Sequence, residues 1–184
     1  MSSPVGRIYL VPNALDFGID GASEAVPLDE VLSLGVIRTA ARLEHWVAEN
    51  ARSTRAFLKR VDRVVPLARP LQQIDIVELP RPAKGGKPAA APDLSPLLAA
   101  ARDGNDLGLI SEAGLPAVAD PGANLVALAH ELGITVVPLV GPSSILLALM
   151  ASGLSGQNFS FHGYFSSHQI QKTCSHTILN YDFK

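Results

Sequence analysis

Cysteine is nearly absent. Cys174 is the only one in 184 residues, so an internal disulfide framework is excluded and a reducing cytoplasm is the simplest setting. An excess of one charge is missing too. Fifteen lysines and arginines stand against 17 acidic residues, a formal net charge of −2. No global attraction to nucleic acid or to an anionic membrane follows from that balance. The opening MSSPVGRIYLVPN has no basic stretch leading into a sustained apolar one, which argues against a signal peptide. Charged side chains are missing altogether between Glu131 and Lys172. Within that gap ITVVPLVGPSSILLALMASG approaches the ~20 apolar residues of a spanning helix. Pro138, Gly141 and Pro142 break it, however, and a buried strand, a turn and a helix account for it better. The common catalytic signatures are absent as well: no G-x-G-x-x-G, no Walker loop, no G-x-S-x-G. His45, His130 and His162 are scattered, and neither a carboxylate pair nor a metal-ligand spacing occurs, so no metal site is expected.

What is present is a globular composition, 47% hydrophobic and 17% charged, long enough for one well-buried domain. GRIYLVP, a stretch at Trp46–Glu49, DIVELP, DLGLIS and ITVVPLV read as strands. Between them lie helix-like segments: one after Pro27, ARSTRAFLKRV, and LSPLLAAARDG with Asp93 as its N-cap. Two more follow, from about Asn124 to Leu132 and from GPSS to Gly153. PRPAKGGKPAAAPD, with four prolines and two glycines, is a linker. Alternation of this kind predicts an α/β fold, a parallel sheet flanked by helices, with ligands at the carboxyl ends of its strands.

Two loops carry most of the turn chemistry. SEAGLPAVADPG (Ser111–Gly122) and VGPSS each follow a predicted strand and precede a helix. Exposed amides at such places suit anionic or hydroxyl groups of a ligand. Gly114 and Gly141 permit close approach, Pro121 and Pro142 suit first helical turns, and Ser143 and Ser144 add hydroxyls. The same residues also serve as ordinary capping turns, and the pattern leaves both readings open. In AENARSTRAFLKR, Arg52, Arg55 and Lys59 at i, i+3 and i+7 share a helical face. That face is either a phosphate-binding stripe or a solvated surface. Beyond Phe165 the character changes: all 15 glycines and 14 prolines lie before Ser166, and SSHQIQKTCSHTILNYDFK contains no Gly, Pro, Ala or Val.

Taken in order, AENARSTRAFL, then GLISEAGLPAVADPGANLVALAHELGITVVPLVGPSSILLALMASGL, then FSFHGYF resemble the tetrapyrrole methylase superfamily. The branch they resemble most is that of the ribosomal RNA small-subunit methyltransferase I enzymes. There the same places carry E-D-T-R-x-T-R, S-D-A-G-T-P-x-x-x-D-P-G, P-G-P-S and F-x-G-F/Y. The resemblance implies an N-terminal α/β domain over residues 1–155, with 80–92 an internal linker. Residues 156–184 would hold the start of an interdomain segment and an atypical tail, with the second domain largely missing. It implies S-adenosylmethionine as cofactor, held by Ala113, Gly114, Leu115, Val118, Ser143 and Ser144. Pro12, Asn13, Leu15 and Arg52 would lie on the substrate side, and Glu112 would be the candidate base. The implied activity is methylation of ribosomal RNA at a ribose hydroxyl, in the cytoplasm, by a homodimer. Methyl transfer chiefly needs alignment and exclusion of water, so the missing triad does not count against it. Departures from the family pattern are VPNALDFG in the first loop, Glu49-Asn50-Ala51-Arg52 for E-D-T-R, and SEAGLP for S-D-A-G-T-P. The departures leave a methylase of a tetrapyrrole or other small acceptor as one alternative, and the changed character beyond Phe165 leaves a truncated, inactive remnant as another.

Overall fold

The computed structural model describes residues 4–16, 26–80, 92–161 and 163. The linker expected at 80–92 and the tail beyond Phe165 therefore lie almost wholly outside the described residues. The chain divides into two compact units, Met1–Ser143 and Ser144–Lys184, so the domain boundary expected at 155 falls inside the second.

The first unit is built on five short strands: β1 (Arg7–Leu10), β2 (His45–Ala48), β3 (Asp75–Glu78), β4 (Leu107–Ile110) and β5 (Thr135–Pro138). They form one all-parallel sheet in the order β3-β2-β4-β1-β5. Neighbouring residues of the inner strands alternate between two cores, as a sheet covered on both faces requires. Tyr9, Trp46, Ala48 and Ile110 pack under α1 (Leu28–Val31), α2 (Leu34–Arg42) and α3 (Ala51–Val64). Ile8, Val47, Leu107 and Leu109 pack against α4 (Ala99–Arg102) and α5 (Ala123–Glu131).

Trp46 anchors the first core. Its ring meets Phe57 edge-on at 6.3 Å, and its indole N–H donates to the Leu43 carbonyl at 3.1 Å. Gly108 stands opposite Trp46 in the β2–β4 register. A Cβ there would lie 2.7 Å from the indole ring, so the missing side chain makes room for the largest one. Phe57, 2% exposed, contributes roughly 2–3 kcal/mol by its burial.

Helix α3 follows from its sequence. Asn50 caps it, accepting from the amides of Arg52 and Ser53. Thr54, Phe57, Leu58 and Val61 form its buried stripe. Arg60 binds the carboxylate of Asp16 at 3.0 Å and the Val26 carbonyl at 3.0 Å, tying α3 to the segment after β1.

Two local expectations need correction. The segment after Asp93 is not a single α-helix: it opens as a 3-10 turn, Ser95–Leu98, before α4. Pro96 removes an amide donor from its start, and the Asp93 side chain accepts from the Ser95 amide instead. Pro121 and Pro142 do not occupy first helical turns. Gly122, at φ 120°, is the N-cap of α5, and α6 (Ser144–Ala151) begins two residues after Pro142.

The second unit contains α6, which has no buried residue. Met150 and Leu154 are 75% and 74% exposed. Among the described residues no helix is long and apolar enough to cross a membrane.

Candidate functional site

The strand order fixes where a ligand could enter. The connection from β1 runs past β4 to β2 and its helices cover one face. The connection from β4 runs past β1 to β5 and α5 covers the other. Adjacent strands β1 and β4 thus send their loops to opposite faces, and such a switch point opens a crevice at the carboxyl ends of a parallel sheet.

Asn13 bridges this point. Its backbone pairs with that of Gly114 in an antiparallel bridge, with N–H to O distances of 2.9 and 3.2 Å. Its side-chain amide donates to the carbonyls of Glu112 at 2.9 Å and Ser111 at 3.3 Å. Its side-chain oxygen accepts from the Ala14 amide at 2.9 Å. Asn13 is only 6% exposed, and every polar group of its side chain is used.

The loop after β5 joins the same place. A Cβ on Gly141 would sit 2.1 Å from the ring of Pro12 and 3.6 Å from the Leu115 side chain. A Cβ on Gly114 would sit 3.3 Å from Leu15 and 3.6 Å from the Pro142 carbonyl. Gly114 has φ 66°, a conformation that side-chain-bearing residues avoid. Pro12, Asn13, Leu15, Gly114, Leu115 and Gly141 are therefore one packed group, and buried Ser143 ends the same loop. Ser144 is the first residue of α6 and belongs to the second unit.

The middle of the Ser111–Gly122 loop is held in a costly shape. Ala117 and Ala119 have φ 65° and 59°, each disfavoured for alanine by about 1–2 kcal/mol. Val118 between them is 47% exposed. Among the described residues no protein acceptor takes up the amides of Ala113, Leu115 or Ala117. Donors held in this way in a fixed loop can serve a polar ligand.

Beside this group lies a cavity of about 600 Å³, lined by Glu49, Asn50, Leu79, Leu94, Glu112 and Leu125 among others. It takes in both ends of the loop, Glu112 and Pro121–Gly122, but not residues 113–118. Of the residues expected to hold a cofactor, Gly114 and Leu115 adjoin the β1 and β5 loops.

A carboxylate group missed at the sequence level closes the picture. Glu49 accepts from the Glu112 amide at 3.0 Å. Burial, and then the charges of Glu49 and Glu112, push the Asp120 carboxyl above its ordinary range, while a hydrogen bond with Ser111 opposes the shift. Asp120 sits within the quoted loop, but nothing in the linear spacing links it to Glu49. Only the β2–β4 pairing does. Among the described residues no group of three His, Cys, Asp or Glu is arranged to hold a metal ion. Arg52 is exposed in the first turn of α3, two residues after Asn50.

No family model matches the chain. It is 30% identical over 170 residues, 92% of its length, to a Bacillus subtilis protein named ribosomal RNA small subunit methyltransferase I, of which the match covers 49%. A Halalkalibacterium halodurans protein of the same name is 29% identical over 143 residues, 78% of this chain and 44% of that one. One from Mesorhizobium japonicum is 52% identical over 68 residues, 37% of this chain and 23% of its own length. The chain is similar in sequence to methyltransferases. It spans about half the length, or less, of the curated relatives it matches.

Proposed function

We propose that the chain carries the cofactor-binding part of an S-adenosylmethionine-dependent methyltransferase that acts on ribosomal RNA in the cytoplasm. The observation that carries this reading is the bridge at Asn13–Gly114, which gathers the β1, β4 and β5 loops at the switch point of the sheet. The similarity to methyltransferases over most of the chain supports it. Ala113, Gly114, Leu115 and Val118, with Ser143 at the edge of the group, would hold the cofactor. The free amides of that loop suit its polar groups, and exposed Val118 suits an apolar one. When bound, the cofactor supplies a methyl group on a sulfonium.

The protein's own contributions are positional and electrostatic. Asn13 fixes the loop, so that the amides of Ala113, Leu115 and Ala117 hold their directions without a ligand. Glu49, Glu112 and Asp120 concentrate negative charge where a cation would be attracted. A hydroxyl acceptor also needs a proton acceptor. Glu112 lines the cavity and can take that role, and Asp120, with its raised proton affinity, is a second candidate. Pairing of two copies rests on the exposed apolar side chains of the second unit, such as Met150 and Leu154.

Titration calorimetry with S-adenosylmethionine, together with hydrogen exchange over residues 111–122, tests the reading. Heat of binding and slowed exchange in that loop are expected. Absence of both would reject cofactor binding by this chain. Transfer of a labelled methyl group to small-subunit ribosomal RNA, rather than to a small acceptor, tests the substrate. A molecular mass measured in solution tests the pairing.

A further inference from the structure

The exposed face of α3 is the most strongly charged surface that the proposed site does not use. Arg52, Arg55, Lys59 and Arg63 stand at spacings of three, four and four residues, all exposed, while Phe57, Leu58 and Val61 fill the opposite face. The sequence stripe of three cations thus extends to the last turn, a run of about 16 Å along the helix axis at ~1.5 Å per residue. That matches the axial length of about five phosphates of one stacked strand, at ~3.4 Å each.

Stability alone does not explain this face. Arg55–Lys59 and Lys59–Arg63 are like-charge pairs one turn apart, each destabilising by about 0.2–0.5 kcal/mol. Cations in the first turns also oppose the helix dipole, and α3 has no acidic residue in its first turn. Two carboxylates by this helix are engaged with backbone amides: Glu78 accepts from the Ala51 amide at 2.7 Å and Asp62 from the Leu67 amide at 3.0 Å. Lys59 and Arg63 make no ion pair among the described residues, whereas Arg60, one position off the stripe, is bound to Asp16. A chain of net charge −2 therefore gathers its cations here at a cost.

The stripe also has a direction. Its head lies just after Asn50, which with Glu49 lines the strand-end cavity, and it runs from there toward the other end of the sheet. We propose that the exposed face of α3, Arg55, Lys59 and Arg63 with Arg52 at its head, is a track for the phosphate backbone of single-stranded RNA leading to the strand-end site. This rests on the reading above that the acceptor is RNA. Three of the four cations are arginines, whose planar fork matches phosphate. A lipid surface fits less well: the apolar face of α3 is buried in the core, and among the described residues no large apolar side chain is exposed on this helix.

The test measures the affinity of the full chain for a fluorescein-labelled single-stranded RNA 12-mer between 50 and 200 mM salt. It compares R55Q/K59Q with R7Q/R102Q, a charge-matched control distant from the stripe. At about 0.7 per phosphate contact on a single strand, the stripe variant should lose about 1.4 from the slope of log affinity against log salt, and bind roughly tenfold or more weakly at 50 mM. The control should stay near the parent. Equal effects of the two variants would overturn the track. So would parent affinity no greater for RNA than for anionic phosphatidylserine vesicles or a polyglutamate peptide, or an absence of RNA binding. Cofactor heat measured on the same variants separates the two proposals: it should be unchanged in R55Q/K59Q, and if present it upholds cofactor binding even where the track fails. Circular dichroism melts of both variants check that each is folded.

Discussion

Replacing Asn13 probes the centre of the proposed site. The side chain makes three hydrogen bonds, at 2.9, 2.9 and 3.3 Å, each contributing about 1 kcal/mol net. Removing them in Asn13→Ala leaves the carbonyl of Ser111, a residue 3% exposed, without its donor, whereas the carbonyl of exposed Glu112 can turn to water. The expected loss is about 2–4 kcal/mol. Asn13→Asp sharpens the reasoning. It keeps the acceptor for Ala14 but sets a carboxylate against two carbonyl oxygens, so at pH 7 it should cost at least as much as alanine. The introduced carboxyl binds its proton more tightly folded than unfolded, because only the protonated form can donate to a carbonyl. Its deficit should therefore shrink as pH falls toward about 4, the ordinary carboxyl range. Urea unfolding gives the readout, as a shifted midpoint at unchanged slope. The account of the bridge would be refuted by an Asn13→Ala loss below about 0.5 kcal/mol, the least expected of a single net hydrogen bond, or by Asn13→Asp being the more stable variant at pH 7.

Gly108→Ala places a Cβ 2.7 Å from the pinned Trp46 ring and should cost about 2 kcal/mol by overpacking. The fluorescence of the single tryptophan should shift with it, and an unchanged melt and spectrum would contradict the packing. Ala117→Gly together with Ala119→Gly releases two left-handed alanines, so thermal melts should show a change between zero and about 1 kcal/mol of stabilisation. A clear destabilisation would show that neither alanine is strained. For Asp120 the sign runs downhill with pH. Its carboxyl holds a proton above the ordinary 3.8, so the folded state binds more protons than the unfolded one, and stability falls as pH rises through that window. Asp120→Asn should flatten this slope, as read by unfolding midpoints from about pH 3.5, near the ordinary carboxyl value, up to about pH 7. The same slope in the variant would point to another group.

The linear sequence determined the alternation of strands and helices, and with it the parallel α/β class. Val, Ile and Leu runs bounded by Gly and Pro form strands, and Asn50 or the 3–4 spacing of Phe57, Leu58 and Val61 forms a helix, through contacts a few residues long. It also located the two loops, because turn residues are local requirements. It misplaced Pro121 and Pro142, since a helix start depends on where the preceding loop is anchored, here Gly122 at φ 120°. The order β3-β2-β4-β1-β5 was decided only in three dimensions. So were the clamp of Asn13 on Ser111 and Glu112, about a hundred residues away in sequence, and the meeting of Glu49 with Glu112 and Asp120. The reason is physical: strand pairing joins residues distant in sequence, and no periodicity within either segment records which partner the other strand will bring.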